Sequence, residues 1–599
     1  MATLACVGAA AMACALAVYL GDTTKSMSYL SYSGTILFGC SGLWYVWKGL
    51  LWPAYFSPLR HLKTVPKSGW LSAETLRLYT EPRGVPQCEW INKLDSVPQG
   101  LVRYRSILGF ERLLVVSPEA LADVLVNRSY EFQKPAFVVT QLEQILGRGV
   151  LLAEGNEHRA QRRVLLPAFA FRHVKSLYPV MWSVAEHLIT SMTENIRVES
   201  SASPTEPVFS SDEPQAKHKH EMITVNIADL CSRATLDIIG IAGIGQEFGA
   251  IRNPNNALHQ TYCEIFQPSK EATLLGVLRL LLPIWFVDWL PSRRNARVQR
   301  AVQTIRSLCR QIIQEERLPQ AVDESHSEVA STGKNILTLA IASGAFTDEA
   351  LVDQIMTFLA AGHETTATAL TWAIYIMCLH PGIQEKLRNE VRSRLPKLPS
   401  TYNSAPQNLA KTIDTGMPYL NAVCQEVFRY FPPIPVTFRE ATKNTFILNT
   451  AVPAGTKIVL APRVTNRQST LWGSNAQEFD PDRWLCLKKQ DASIDDSSAA
   501  SPSFGGSGKR KSQYTDTHKE PSTRSNFATM TFLHGPRSCI GQSFAKAELA
   551  ILLAALVGRF EFKLARGTPE KEIDVRVSRG ATARPEKGLF VQIRVIEGW

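Results

Sequence analysis

The chain has 599 residues, 45% of them hydrophobic and 20% charged, enough to bury a large core and too apolar for a disordered polymer. Lys+Arg 65 against Asp+Glu 54 gives a net charge of +11 spread along the chain. That suits an anionic membrane surface or an acidic protein partner and argues against dedicated nucleic-acid binding. The 11 cysteines are scattered with no CxxC pair, which excludes a zinc ribbon or disulfide framework and favours a reducing, cytosol-facing catalytic domain.

Two apolar stretches open the chain. Residues 2–21 (ATLACVGAAAMACALAVYLG) carry no charge, and a second stretch runs from about Tyr29 to Trp47. Each approaches the ~20 residues that span a bilayer. The first lacks the positively charged start of a cleaved signal peptide, and Arg60, Lys63 and Lys67 after the second favour a cytosolic catalytic domain. Residues 1–56 therefore read as a retained membrane anchor of one or two helices.

Beyond residue 57 helical patterns dominate. Residues 222–245 (MITVNIADLCSRATLDIIGIAGIG) show apolar positions at helical spacing. Strand-like pieces are short: ERLLVVS near 111, TKIVLAP near 456 and GLFVQIRVI near 588. The fold class is mostly α with small β-sheets. Three polar, aperiodic segments near 198–221, 319–334 and 488–526 read as disordered insertions in one catalytic domain, 57–599. The stretch 274–290 (LLGVLRLLLPIWFVDWL) is too short and proline-broken to span, and reads either as a membrane-dipping segment or as a core helix.

Residues 347–381 read as one very long helix, with Thr347 as its cap, Asp348 and Glu349 in its first turn and Pro381 closing it. Its middle, AGHETT, sets Glu364 and Thr365 among apolar neighbours. Small residues at 361 and 362 suit a ligand packed against the backbone. The Thr365 hydroxyl can bond back one turn and loosen the helix. HE also begins a zinc-protease motif, but HExxH needs histidine where this chain has Ala367. Zinc is excluded there. Later, EVFR places Glu426 and Arg429 on one helical face.

Near the C-terminus stands FLHGPRSCIG, residues 532–541. Gly535 and Gly541 let the chain turn tightly around Cys539 and let a flat cofactor approach the backbone. Arg537 offers a fork suited to a carboxylate, and Phe532 can cover the sulfur. The helix that follows points its N-terminus towards the thiolate.

Phe532, Gly535, Arg537, Cys539 and Gly541 form FxxGxRxCxG, and the chain here resembles the cytochrome P-450 family over roughly residues 60–599. The resemblance implies haem b with Cys539 as its axial thiolate, whose electron donation favours O–O cleavage. It implies Glu364 and Thr365 as the acid–alcohol pair of an oxygen-binding helix. It also implies that Glu426 and Arg429 meet Arg483 of FDPDRW in a structural triad. GNEHRAQRRVLLPAF (155–169) resembles the helix supporting the haem carboxylates, with His158 in place of the tryptophan common in membrane-bound members. Arg162, Arg439, Arg537 and His158 are its implied propionate contacts.

The anchor and inserted loops are most similar to microsomal fungal members. Such members sit in the endoplasmic reticulum membrane and draw electrons from NADPH through a separate flavin-containing NADPH–cytochrome P-450 reductase, with cytochrome b5 a second candidate partner. The chain has no flavin or nicotinamide fingerprint of its own. The implied activity is a monooxygenase inserting one O2 oxygen into a lipophilic small molecule, first of all in terpene or polyketide secondary metabolism. Fatty-acid hydroxylation is the alternative substrate class. Haem-thiolate isomerases or dehydratases, and a non-catalytic haem sensor or carrier, are alternative functions, against which the intact Glu364–Thr365 pair argues.

Overall fold

The computed structural model describes residues 39–40, 42–66, 72–94, 97–106, 109–202, 222–266, 292–317, 335–397, 406, 408–485, 525–578 and 580–599, with the single positions 271, 275 and 287. The first apolar stretch, residues 319–334, most of 274–290 and nearly all of the 488–526 insertion lie outside the described residues. So does the second apolar stretch up to residue 38. Among the described residues no helix is long and apolar enough to cross a membrane.

The chain forms two compact units. The smaller contains Val85–Gln133 and Phe438–Leu460 together with the chain up to Glu81. Its centre is a five-stranded sheet in the order Leu101–Arg105, Glu111–Val115, Lys457–Leu460, Thr437–Ala441, Phe132–Gln133. The first two strands pair antiparallel, Leu101 opposite Val115, and the second and third pair parallel, Leu114 opposite Val459. Leu113, Leu114, Val459 and Leu460 are fully buried, which fits a strand covered on both faces. The strand pieces expected near 111 and 456 are present in this sheet.

The larger unit is mainly helical and holds Lys134–Thr437 and Ala461–Trp599. Its helices used below are α1 (Gly155–Leu165), α2 (Tyr178–Ala202), α3 (Ile227–Ile238), α4 (Asp348–Leu379), α5 (Pro381–Arg394), α6 (Pro418–Tyr430) and α7 (Gln542–Arg559). α4 has 32 residues. At ~1.5 Å per residue it is about 48 Å long. Thr347 caps it as expected, its hydroxyl accepting the N–H of Ala350 at 3.3 Å. Apolar residues on most sides of α4 and α7 explain why most of their residues are buried. Strand Phe590–Val595 sits between Ile223–Asn226 and Phe560–Leu564 in a three-stranded antiparallel sheet.

Three expectations change. Ile223–Asn226, read as part of a helix, is a strand: Thr224, Val225 and their neighbours pair with Phe590–Ile593, and β-branched residues suit that ladder. The helical reading holds for Ile227–Ile238, after which Ile239–Ile244 widens into a π-turn. The polar segment placed at 198–221 starts as helix, because α2 continues to Ala202. At the other end of the chain, Asn526 already belongs to the turn Asn526–Ala528, which Ser525 caps. Pro381 closes α4 as expected, since His380 before it has left helical geometry (φ −125°, ψ 78°), and the proline then opens α5, where its missing N–H costs no hydrogen bond.

The Glu–Arg pair of α6 does form the expected triad. Arg429 donates to both Glu426 oxygens at 2.8 and 2.7 Å, and Arg483 Nε reaches Glu426 Oε1 at 3.0 Å. The Asp480 N–H and the Trp484 indole complete the carboxylate at 2.8 and 2.9 Å. Arg429 also donates to the carbonyls of Asn466, Ala476 and Glu478. Burying these charges is tolerable because their hydrogen bonds are made.

Candidate active site

Cys539 lies between the short turn Gly535–Arg537 and the start of α7. Gly535 has φ 74°, a left-handed conformation that favours glycine. The Cys539 N–H donates to the Phe532 carbonyl at 2.8 Å, and Ser538 N–H to Gly535 at 3.0 Å, closing the loop. Phe532 packs edge-on against Phe428 with ring centres 4.9 Å apart.

Cys539 carries open surface, yet burial within the protein pushes its thiol pKa up. The two facts agree if the open surface faces an enclosed space. Against that desolvation, the Gly541 N–H and the Arg162 charge pull the pKa down. These are the partners that a ligating thiolate needs.

Arg162, on α1, donates to the Ser538 carbonyl at 2.7 Å and to its hydroxyl at 3.2 Å. His158 lies one turn earlier and is buried. Desolvation first, then the charges of Arg537, Lys134 and Arg162, lower its pKa to about 4, so the ring is neutral at pH 7. Arg537 is buried and ion-pairs with Glu154, the residue before α1. Burial pushes the Glu154 carboxyl up, but Lys134 and Arg537 hold it below the usual range. Three cations and one carboxylate thus act on His158. This surplus positive charge fits an anionic group such as a haem bearing two carboxylates.

Arg439 is in the smaller unit, buried on strand Thr437–Ala441 and donating to the Phe438 carbonyl at 2.7 Å. The structure therefore brings together Arg162, Arg537, His158 and Cys539 and leaves Arg439 on the other unit. Glu154, Lys134 and Ser538 were missed. Nothing in their spacing marks them, since Lys134 and Glu154 meet only through the fold.

On α4, residues on either side of AGHETT are buried, but Ala361 is exposed and Thr365 half-buried. Beyond its exposed first turn, the largely buried α4 thus opens in its middle. The Thr365 hydroxyl donates to the Ala361 carbonyl at 2.8 Å, the back-bond expected. Gly362 differs from expectation. A Cβ there would lie 2.8 Å from Ile239, so its smallness serves a close helix contact, and the open surface belongs to Ala361. Glu364 is buried and faces Thr582 and Arg584, neither singled out by sequence. Phe169 connects the two halves of the site: its ring lies 3.8 Å from the Cβ position of Gly541 and edge-on to Phe358 of α4 at 5.5 Å.

The Cytochrome P450 family model matches residues 103–592. The chain belongs to the cytochrome P450 family. It is 50% identical over 561 residues to "Cytochrome P450 monooxygenase FUM15" of Gibberella moniliformis, covering 92% of this chain and 91% of that one. It is 39% identical to "Cytochrome P450 monooxygenase sphH" of Aspergillus fumigatus, over 92% and 90% of the two chains. For "Cytochrome P450 monooxygenase FSL4" of Gibberella zeae the identity is 35%, over 93% and 92%. Family membership implies haem and an electron-donating partner. The loop around Cys539 and the cations beside it are of the kind that haem needs.

Proposed function

We propose that this cytochrome P450 monooxygenase inserts one oxygen atom from O2 into a lipophilic small molecule in secondary metabolism, of terpene or polyketide type. One observation carries the reading: Cys539, beside the Gly541 N–H and the Arg162 charge, shares a unit with a largely buried helix that opens at Ala361 next to Thr365. Cys539 would hold the haem iron, and Arg162 and Arg537 its carboxylates, with His158 as a further contact. When bound, haem with a thiolate ligand supplies the activation of O2.

The chain's own residues then handle protons and water. The Thr365 hydroxyl, already polarised by its bond to the Ala361 carbonyl, presents an oxygen to the open space and can hold a water there. Glu364, one residue before, is the nearest carboxyl on the helix and the source of protons for that water. Apolar walls such as Phe169 and Phe358 limit access by bulk water. A lipophilic substrate is supported by helix Ala136–Leu146, whose Phe137, Val138, Val139, Leu142 and Ile145 remain only half-buried.

Electrons come, in this reading, from NADPH through a separate diflavin reductase at the endoplasmic reticulum membrane. Residues 1–56 anchor the chain. Support comes from the two apolar stretches, the second ending at exposed Trp47, and from exposed Leu50, Leu51, Tyr55 and Phe56 after them. Deleting residues 1–56 shifts the protein to the soluble fraction if this holds. An N-terminus cleaved during secretion overturns it.

The test of function is NADPH consumption by the purified protein with reductase, screened against terpenes, polyketide chains and fatty acids. A product heavier by one oxygen that carries label from O2 supports the proposal. Turnover without O2 or NADPH indicates an isomerase or dehydratase instead.

A further inference from the structure

Glu364 Oε1 accepts a hydrogen bond from the Thr582 hydroxyl at 2.9 Å and pairs with Arg584 Nη1 at 3.4 Å. Both partners come from a C-terminal loop 218 residues away in sequence from the glutamate. That loop is firmly seated. The Trp372 indole of α4 donates to the Ala583 carbonyl at 2.8 Å, and the Ala583 N–H donates to Pro433 at 2.9 Å. Ser578 N–H to Arg584 at 2.7 Å and Glu586 N–H to Arg576 at 2.8 Å close the loop into a narrow hairpin. The Glu364 side chain is 5% exposed and that of Arg584 22%, so the arginine spans from the buried carboxylate towards solvent.

Consecutive helical residues point about 100° apart. Glu364 held on the C-terminal loop is therefore turned away from the face that carries the Thr365 hydroxyl. We propose that Thr582 and Arg584 are positioning residues that hold Glu364 in a resting, solvent-connected orientation, and that protons for the site enter beside this loop. This rests on the role given to Glu364 above. Arg584 itself donates no proton, because a guanidinium stays charged. The proton passes from water at the loop to a Glu364 oxygen and on to the water held by Thr365, and the carboxyl is then reprotonated from the loop side. No electron moves in these steps.

The experiment uses the haem-loaded full chain with NADPH and reductase and no added substrate, reading hydrogen peroxide formed per NADPH consumed. Faulty proton delivery diverts oxygen reduction from water to peroxide. Glu364→Gln should raise the ratio severalfold, Arg584→Gln should raise it in the same direction, and the double variant should match Glu364→Gln. Arg584→Lys should restore most of the loss. A second readout is denaturant unfolding, in which the double variant should be no less stable than the weaker single one. If Glu364→Gln alters the ratio and Arg584→Gln does not, or if the two destabilise additively, the positioning role is overturned while the role of Glu364 stands. If Glu364→Gln changes nothing, both fail.

Discussion

Arg162 donates to the backbone carbonyl of Ser538 at 2.7 Å, fastening α1 to the residue that precedes Cys539. One guanidinium therefore shapes the cysteine loop and adds positive charge beside the sulfur. Arg162→Ala should lower the ratio of bound haem to protein severalfold. Arg162→Lys keeps the charge but loses the two-pronged contact, and should fall between. Absorbance of the purified protein checks both.

Cys539→Ser should leave the chain folded and remove the sulfur donor. The reduced, CO-bound wild type should show the red-shifted Soret band of haem-thiolate proteins, and the variant should lack it. A variant retaining the band removes Cys539 from the site.

Two buried glutamates should respond oppositely to loss of the carboxylate. Glu426 is fully hydrogen-bonded between Arg429, Arg483 and Trp484. Glu426→Ala strands two buried cations and should cost about 3–5 kcal/mol, with failure to hold haem. Neither Glu548 oxygen has a hydrogen-bond partner among the described residues. Burial pushes this carboxyl well above its ordinary 4.5, and the nearby Thr366 hydroxyl offsets only part of that. Glu548→Gln should stabilise the protein at pH 7, because it removes a carboxyl that burial disfavours in its charged form. Thermal unfolding distinguishes the two.

These shifts also set the sign of two pH effects. His158 has a folded value of about 4, below its ordinary 6.5. The unfolded chain binds the proton first, so stability is full above 6.5 and is lost as pH falls towards 4, by about 1.4 kcal/mol per unit. For Glu548 the folded value is raised, so its contribution is intact below 4.5 and lost as pH rises. The two oppose each other between 4.5 and 6.5. The difference between wild type and His158→Gln across that range should isolate the histidine.

Local signals proved legible where one element contained them. The cap at Thr347, Gly535 before Cys539 and the i,i+3 pair of α6 each involve residues a few positions apart, and the length of α4 belongs to one element. What could not be read depends on distant contacts. Strand Ile223–Asn226 looks helical by period until Phe590–Ile593 pairs with it. Glu154 matters only because Arg537 arrives beside it, and Thr582 and Arg584 only because their loop folds onto α4. Gly362 was assigned to a ligand when its constraint is a neighbouring helix. Small residues announce close approach without saying to what.

That last contact bears on attempts to redesign the enzyme. Position 362 tempts anyone wishing to reshape the cavity, because it borders the open face of α4. A Cβ there would already lie 2.8 Å from the Ile239 side chain. Randomising 362 alone should return mostly misfolded clones. A library varying 362 and 239 as a pair, trading bulk from one to the other, should recover folded members, because the contact is between those two positions.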